Sequence, residues 1–275
     1  MPDYRCAVLG DPIEHSLSPT LHNAAYAALG LDWTYERHQV GSGELAGFLA
    51  SCGPDVRGLS LTMPLKREAL PLVASMSHRA RMAGAINTLV RTSYGWAGDN
   101  TDLPGAMAAI RERFAGPIVH AAILGAGATA ASIGLAVTDL GAEHISILAR
   151  HAERAGETVS ILDDHNDRVR VSVDPMETVL ENVDILISTI PASAQTPELV
   201  ARYRDVPVIF DAIYDPWPTP LASATTGAVV SGHDLLVHQA ALQFELFTGQ
   251  TAPLEAMRAA LEPTADVTEV EVPAG

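Results

Sequence analysis

A single lysine, Lys66, stands in this chain beside sixteen arginines, inside the stretch LTMPLKRE at 61–68. An arginine keeps its charge at any working pH. A lysine drawn out of water can move from its usual pKa of about 10.4 toward neutrality and pass a proton. Proton transfer is therefore a reason for one cation not to be an arginine; the plain alternative is chance in an arginine-rich composition. Asp102, at the end of GDNTD (98–102), becomes a catalytic partner if it faces Lys66. A carboxylate beside an ammonium orients it and tunes its protonation. Taken singly, Asn100, Asp102 and the Asn87 and Thr88 of AGAINTL also read as turn and cap residues.

Ser16 and Ser18 of GDPIEHSLSPTLHN (10–23) precede Pro19. Ser18 followed by proline reads as an N-cap with Pro at the first helical position. Capping leaves Ser16 unexplained, and two hydroxyls near a helix start could hold a carboxylate in a chain short of cations. Further on, VHAAILGAGATAASIGLAV (119–137) sets Gly125, Gly127 and Ala130 in a G-x-G-x-x-A pattern between a strand and a helix. The pattern is that of a dinucleotide's pyrophosphate site, where backbone N–H groups at the helix start meet the phosphates. An ordinary glycine turn is the other reading. The following strand, ISILARHAERA, ends without the acid that an NAD site usually places on the ribose, and offers Arg150 and Arg154 instead. Two guanidiniums one helical turn apart suit a 2′-phosphate, hence NADP; a solvated helix face is the alternative.

These residues need a scaffold. Short apolar runs alternate with helical patterns almost throughout, which predicts an α/β fold. Strands are predicted at 6–10, 34–40, 56–62, 86–92, 118–125, 144–150, 168–173, 183–189, 206–213 and 228–232. Helices are predicted at 19–29, 43–51, 65–74, 103–114, 128–140, 151–163 and 233–248. With 275 residues the chain suits one large or two medium domains. The order of elements places a boundary near GDNTDLPG (98–105) and predicts, from 118 onward, a Rossmann-like nucleotide-binding unit. The acidic segment 263–275 reads as a flexible tail.

A net charge of −16 excludes a nucleic-acid surface, since phosphate binding needs a basic face. Two cysteines, Cys6 and Cys52, give neither a disulfide framework nor metal spacing, which predicts a reducing, cytoplasmic setting and no metal. The start shows no signal-peptide pattern. The apolar run 121–137 is expected to be strand, turn and helix rather than a membrane span. Monomer and homodimer are both compatible with the sequence.

The succession GDPIEHSLSPTLHN, LSLTMPLK, GAINT, GDNTD, GAGATA, ARHAERA, YDPWPTPL and SGHDLLVHQ resembles the shikimate dehydrogenase family in order and spacing over residues 4–260. The resemblance implies reversible NADPH-dependent reduction of 3-dehydroshikimate to shikimate by direct hydride transfer, with Lys66 and Asp102 as the catalytic pair. It implies that Ser16 and Ser18, helped by Tyr214, bind the substrate carboxylate, and that Thr62, Asn87 and Gln239 bind the ring hydroxyls. It places Gly125, Gly127, Ala128, Arg150 and Arg154 around the NADP phosphates, Thr189 along the cofactor, and Gly232 and Leu235 beside the nicotinamide. Departures from the family pattern are Ser60 for an asparagine, Ala149 for the asparagine before Arg150, Leu235 for methionine, and STIP (188–191) for a more polar block. Quinate or aminoshikimate dehydrogenase, and a non-catalytic NADP-binding regulator on the same fold, are the competing readings.

Overall fold

Apolar strands need cover on both faces, and the computed structural model, which describes residues 3–262, provides it for two separate sheets. The first holds β1 (Tyr4–Gly10), β2 (Trp33–Gln39), β3 (Val56–Leu61), β4 (Ser75–Met76), β5 (Thr88–Thr92) and β6 (Gly95–Asp99), in the order β2-β1-β3-β5-β6-β4. It is mixed: β1 runs parallel to β2 and β3, while β5 is antiparallel to β3 and β6. The second holds β7 (His120–Leu124), β8 (His144–Ala149), β9 (Arg170–Pro175), β10 (Ile185–Ser188), β11 (Val208–Asp211) and β12 (Ala228–Ser231). Its order is β12-β11-β10-β7-β8-β9 and all its pairings are parallel. The runs ILIS and VIFD are buried at every position, as strands covered on both sides must be.

Helices α1 (Ser18–Ala28), α2 (Leu45–Ser51), α3 (Leu65–Glu68) and α4 (His78–Ala83) belong to the first half of the chain; α5 (Asp102–Arg113) leads out of it. Then come α6 (Ala128–Asp139), α7 (Gly156–His165), α8 (Pro197–Tyr203), α9 (Pro220–Ala224), α10 (Gly232–Thr248) and α11 (Leu254–Ala259). One face of the first sheet packs with α1, α10 and α11 through Val8, Tyr26, Tyr35, Phe244, Phe247 and Met257. Its other face buries Leu9, Leu45, Leu59, Leu65, Ile86 and Leu89. Each fully buried Phe or Leu stabilises the fold by about 1.5–3 kcal/mol. On the second sheet, α5, α6 and α7 cover one face around Ile123, Ile133 and Leu162, and α8 and α9 cover the other around Leu199, Tyr203 and Leu221.

Two helices cross between the sheets. α5 starts at the end of β6, and α10 starts at the end of β12 and carries Phe244 and Phe247 into the first core. They approach so closely at Gly105 that a Cβ there would sit 2.9 Å from the Gln239 Cβ and backbone nitrogen. Only glycine permits that approach, and it sets Asp102 and Gln239 side by side. The helix predicted at 65–74 is instead α3 followed by a short 3₁₀ turn at Leu70–Leu72, because Pro71 cannot continue an α-helix. The one predicted at 151–163 opens as a 3₁₀ turn, Ala152–Arg154, before α7. β6, the glycine-containing GWAGD, and the two-residue β4 carry too little apolar signal to be predicted. The tail expected at 263–275 lies outside the described residues.

Candidate active site

Lys66 points from α3 to the first residue of α5, where its Nζ donates to Asp102 Oδ2 at 2.6 Å. Both side chains are largely buried, 16% and 8% exposed. Burying an ion pair costs desolvation that mutual attraction only partly returns, so such a pair is weak evidence for stability and better evidence for a task. Asp102 is held from three directions. Asn100 Oδ1 accepts from the backbone N–H groups of Asp102 and Leu103 at 3.0 and 3.2 Å, so Asn100 shapes the turn that opens α5. Asn87 Nδ2 donates to Asp102 Oδ1 at 2.8 Å. One residue before Asn100, the Asp99 carboxylate takes a two-pronged bond from Arg79 at 2.7 and 2.6 Å and another from Ser77. Burial alone would raise the Asp99 pKa, but these hydrogen bonds hold it below the usual value and fix the strand end.

The pair opens into a cavity of about 270 Å³ between the two sheets. Ser16, Ser18, Thr62, Lys66, Asn87, Asp102, Tyr214, Gly232, Leu235 and Gln239 all line it. Every residue expected to touch substrate, together with the two expected beside the nicotinamide, therefore shares one space. The local chemistry differs from expectation at Ser18. It is the first residue of α1 rather than its N-cap, and no side chain caps that helix. Ser16 Oγ instead accepts the Ser18 N–H at 3.4 Å, leaving the Ser18 hydroxyl out of the helix's own bonding. Tyr214 is placed by the loop after β11. Buried Asp211 accepts from Thr219 Oγ1 at 2.6 Å, from Gln195 at 2.7 Å and from the Ile213 N–H at 3.1 Å, and burial raises its pKa despite those bonds.

The remaining predicted residues lie outside the lining of that cavity, at the carboxyl ends of β7, β8 and β10. There the chain turns to opposite sides of the sheet, the place where α/β folds bind nucleotides. Gly125 takes φ +102°, a conformation other residues rarely adopt, and a Cβ there would meet Thr189 Oγ1 at 2.5 Å. Thr189 donates to the Leu124 carbonyl at 2.9 Å and braces the turn from β10. Gly127 is the N-cap of α6, Ala128 begins it, and open space surrounds the Gly127 Cβ position. Arg150 follows β8 and is exposed, with no ion-pair partner among the described residues. The Arg154 side chain lies outside the described residues.

Ser60, Thr129 and Gln243 also line the cavity, though motif reading did not select them. Thr129 sits inside the glycine pattern itself. Gln243 lies one helical turn beyond Gln239 and so shares its face, a signal available from spacing alone.

Comparisons with known proteins place the chain among shikimate dehydrogenases. The profile of the shikimate dehydrogenase substrate binding domain matches residues 8–89, that of shikimate/quinate 5-dehydrogenase matches 114–204, and that of the shikimate 5′-dehydrogenase C-terminal domain matches 232–262. A shikimate dehydrogenase (NADP(+)) from Microcystis aeruginosa is 32% identical over 270 residues, covering 92% of this chain and 94% of the other. The crystal structure of Mycobacterium tuberculosis shikimate dehydrogenase is 42% identical with a TM-score of 0.86, over 94% of this chain and 98% of that one. The Thermus thermophilus enzyme in complex with NADP(H) and shikimate is 28% identical with a TM-score of 0.83, over 94% and 98%.

Proposed function

This chain belongs to the shikimate dehydrogenase family, and from that premise we propose that it catalyses the reversible NADPH-dependent reduction of 3-dehydroshikimate to shikimate. The observation that carries the reading is the 2.6 Å Lys66–Asp102 pair in a cavity lined by every residue expected to bind the substrate.

The glycine turn fits a dinucleotide. Gly125 holds the left-handed conformation, the Gly127 Cβ position faces open space, and the N-terminal N–H groups of α6 point out of the turn. Gly125, Gly127, Ala128 and Thr189 would hold the phosphates and the cofactor's length, with Arg150 and Arg154 on the 2′-phosphate. Gly232 and Leu235 would flank the nicotinamide. When bound, NADPH supplies the hydride that the carbonyl carbon accepts.

As negative charge grows on the carbonyl oxygen, Lys66 stabilises it and donates the proton that completes the hydroxyl. Asp102 holds the Lys66 ammonium in place and accepts from the neighbouring substrate hydroxyl. Ser16, Ser18 and Tyr214 grip the carboxylate, while Thr62, Asn87 and Gln239 pair with ring hydroxyls. An analogue lacking one hydroxyl leaves buried donors or acceptors unpaired, which is the basis of selectivity. The division into a substrate domain (1–102 with 237–262) and a cofactor domain (103–236) is part of the same proposal; its two joints fall in α5 and α10. Free thiols at Cys6 and Cys52 support a reducing, cytoplasmic setting.

The test is absorbance at 340 nm with shikimate, quinate and aminoshikimate, each with NADP⁺ and NAD⁺. Highest kcat/KM for shikimate with NADP⁺ is expected. A preference for quinate or for NAD⁺ would move the assignment within the family, and no turnover with any pair would overturn it.

A further inference from the structure

We propose that Tyr35, Ser60 and Gln243 form a one-way hydrogen-bond relay that fixes the orientation of the Asn87 carboxamide and thereby positions Asp102 against Lys66. The relay rests on the proposed reduction only for its kinetic readout.

The direction of each bond follows from counting protons, starting at the carboxylate. Asp102, ionised beside Lys66, can only accept, so Asn87 must turn Nδ2 toward Oδ1, at 2.8 Å. Asn87 Oδ1 then faces away and needs donors, which are the Thr88 hydroxyl at 2.7 Å and the Thr101 N–H at 2.8 Å. Thr88 has spent its one proton, so its oxygen must accept, and Gln243 Nε2 donates to it at 3.0 Å and to the Asn87 carbonyl at 3.1 Å. With Nε2 committed there, Gln243 Oε1 turns outward and accepts from Ser60 Oγ at 2.7 Å. Ser60 has likewise spent its proton and accepts from Tyr35 OH at 2.6 Å. Reversing any amide would set oxygen against oxygen in a site without water's dielectric, so the chain runs one way only.

Tyr35 is a fitting head for the relay. Its hydroxyl donates and is not required to accept, and burial pushes its pKa well above the ordinary value, so the proton is always present. His22 lies flat on its ring with centroids 4.1 Å apart. Both His22 nitrogens are buried, and neither makes a hydrogen bond to the tyrosine hydroxyl. Tyr35, Ser60, Asn87, Thr88 and Gln243 are all buried, although Ser60 and Gln243 line the cavity floor. The polar atoms of Tyr35, Ser60 and Gln243 are engaged within the relay, which makes these three positioning residues rather than catalytic ones.

The experiment compares Ser60→Ala, Gln243→Met and Tyr35→Phe with Ser60→Thr, which keeps the hydroxyl. In ¹⁵N-labelled protein, the side-chain amide of Asn87, assigned by its loss in Asn87→Asp, should exchange with solvent at least about tenfold faster in Ser60→Ala and Gln243→Met. Ser60→Thr should restore slow exchange. In steady state, kcat should fall by about tenfold in Ser60→Ala with NADPH affinity unchanged, because misplacing a catalytic group costs turnover rather than cofactor binding. Tyr35→Phe added to Ser60→Ala should cost nothing more, since both break one relay. Unchanged Asn87 exchange in folded Ser60→Ala and Tyr35→Phe overturns the relay. So does an additive double variant. If the wild type fails to turn over 3-dehydroshikimate, the functional reading falls, while the amide exchange still decides the relay.

Discussion

Lys66, Asp102, Asn87 and Gln243 line the cavity and, with buried Thr88 behind them, hold one another by hydrogen bonds of 2.6–3.0 Å. At the carboxyl ends of the second sheet, the glycine turn presents backbone, and the arginine beside it stands exposed. The first region is ordered before any ligand arrives, because each side chain's orientation is dictated by the next. The second relies on peptide groups that any sequence supplies once the turn has formed. On the proposed reading, substrate recognition is written in side chains, and cofactor recognition mostly in backbone with a charge at its edge. Side-chain deletions should accordingly strike turnover in one region and cofactor affinity in the other.

The largest expected effect is at Lys66. Lys66→Arg should fold and bind NADPH but lose about a thousandfold in kcat, since a guanidinium stays protonated. Near-wild-type turnover there would end the contrast, because the cavity floor would then need only charge. Asp102→Asn keeps the shape and removes the negative partner, and about a hundredfold loss in kcat is expected from steady-state assays, with KM for NADPH changed little. On the other side, Arg150→Ala should raise KM for NADPH by about tenfold, the worth of one exposed charge-assisted hydrogen bond. KM for NADH should barely move. Equal changes for both cofactors would mean that Arg150 does not read the 2′-phosphate.

A separate effect concerns stability rather than rate. Burial lowers the His22 pKa to about 3. The unfolded chain takes up a proton near pH 6.5 that the folded chain refuses, so stability is full above that pH and falls as pH drops toward the folded value. The slope should approach about 1.4 kcal/mol per pH unit between pH 6 and 4. Urea unfolding of wild type and His22→Phe across that range measures it; parallel curves would show that His22 is not the cause.

Much of this was legible from residue order. GAGATA between an apolar strand run and an alanine-rich helix run names its own turn, because glycine is the residue that tolerates a positive φ. The lone lysine was conspicuous without any structure. Other features were not. Ser18-Pro19 carries the signature of a cap, yet the helix begins one residue earlier than the signature implies. Boundaries of that kind are set by how α1 seats Leu21, Ala25 and Tyr26 in the core. Pro71 should have broken the helix written over 65–74, and did. Tyr35 reads as an ordinary strand residue, and although Gln243 shares a helix face with Gln239, nothing local shows that β2, β3 and α10 place Tyr35, Ser60 and Gln243 within hydrogen-bond reach.

The chain's own order of residues determined the α/β alternation, the glycine turn between β7 and α6, and the chemical types able to move a proton and hold a polyhydroxy acid. These are local matters, governed by periodicity, backbone permission and side-chain chemistry. Only the folded molecule decided that Lys66 meets Asp102, and which way each amide beneath them faces. Residues 36, 152 and 183 positions apart are brought together by two crossing helices whose approach depends on core packing, and packing is a property of the whole chain.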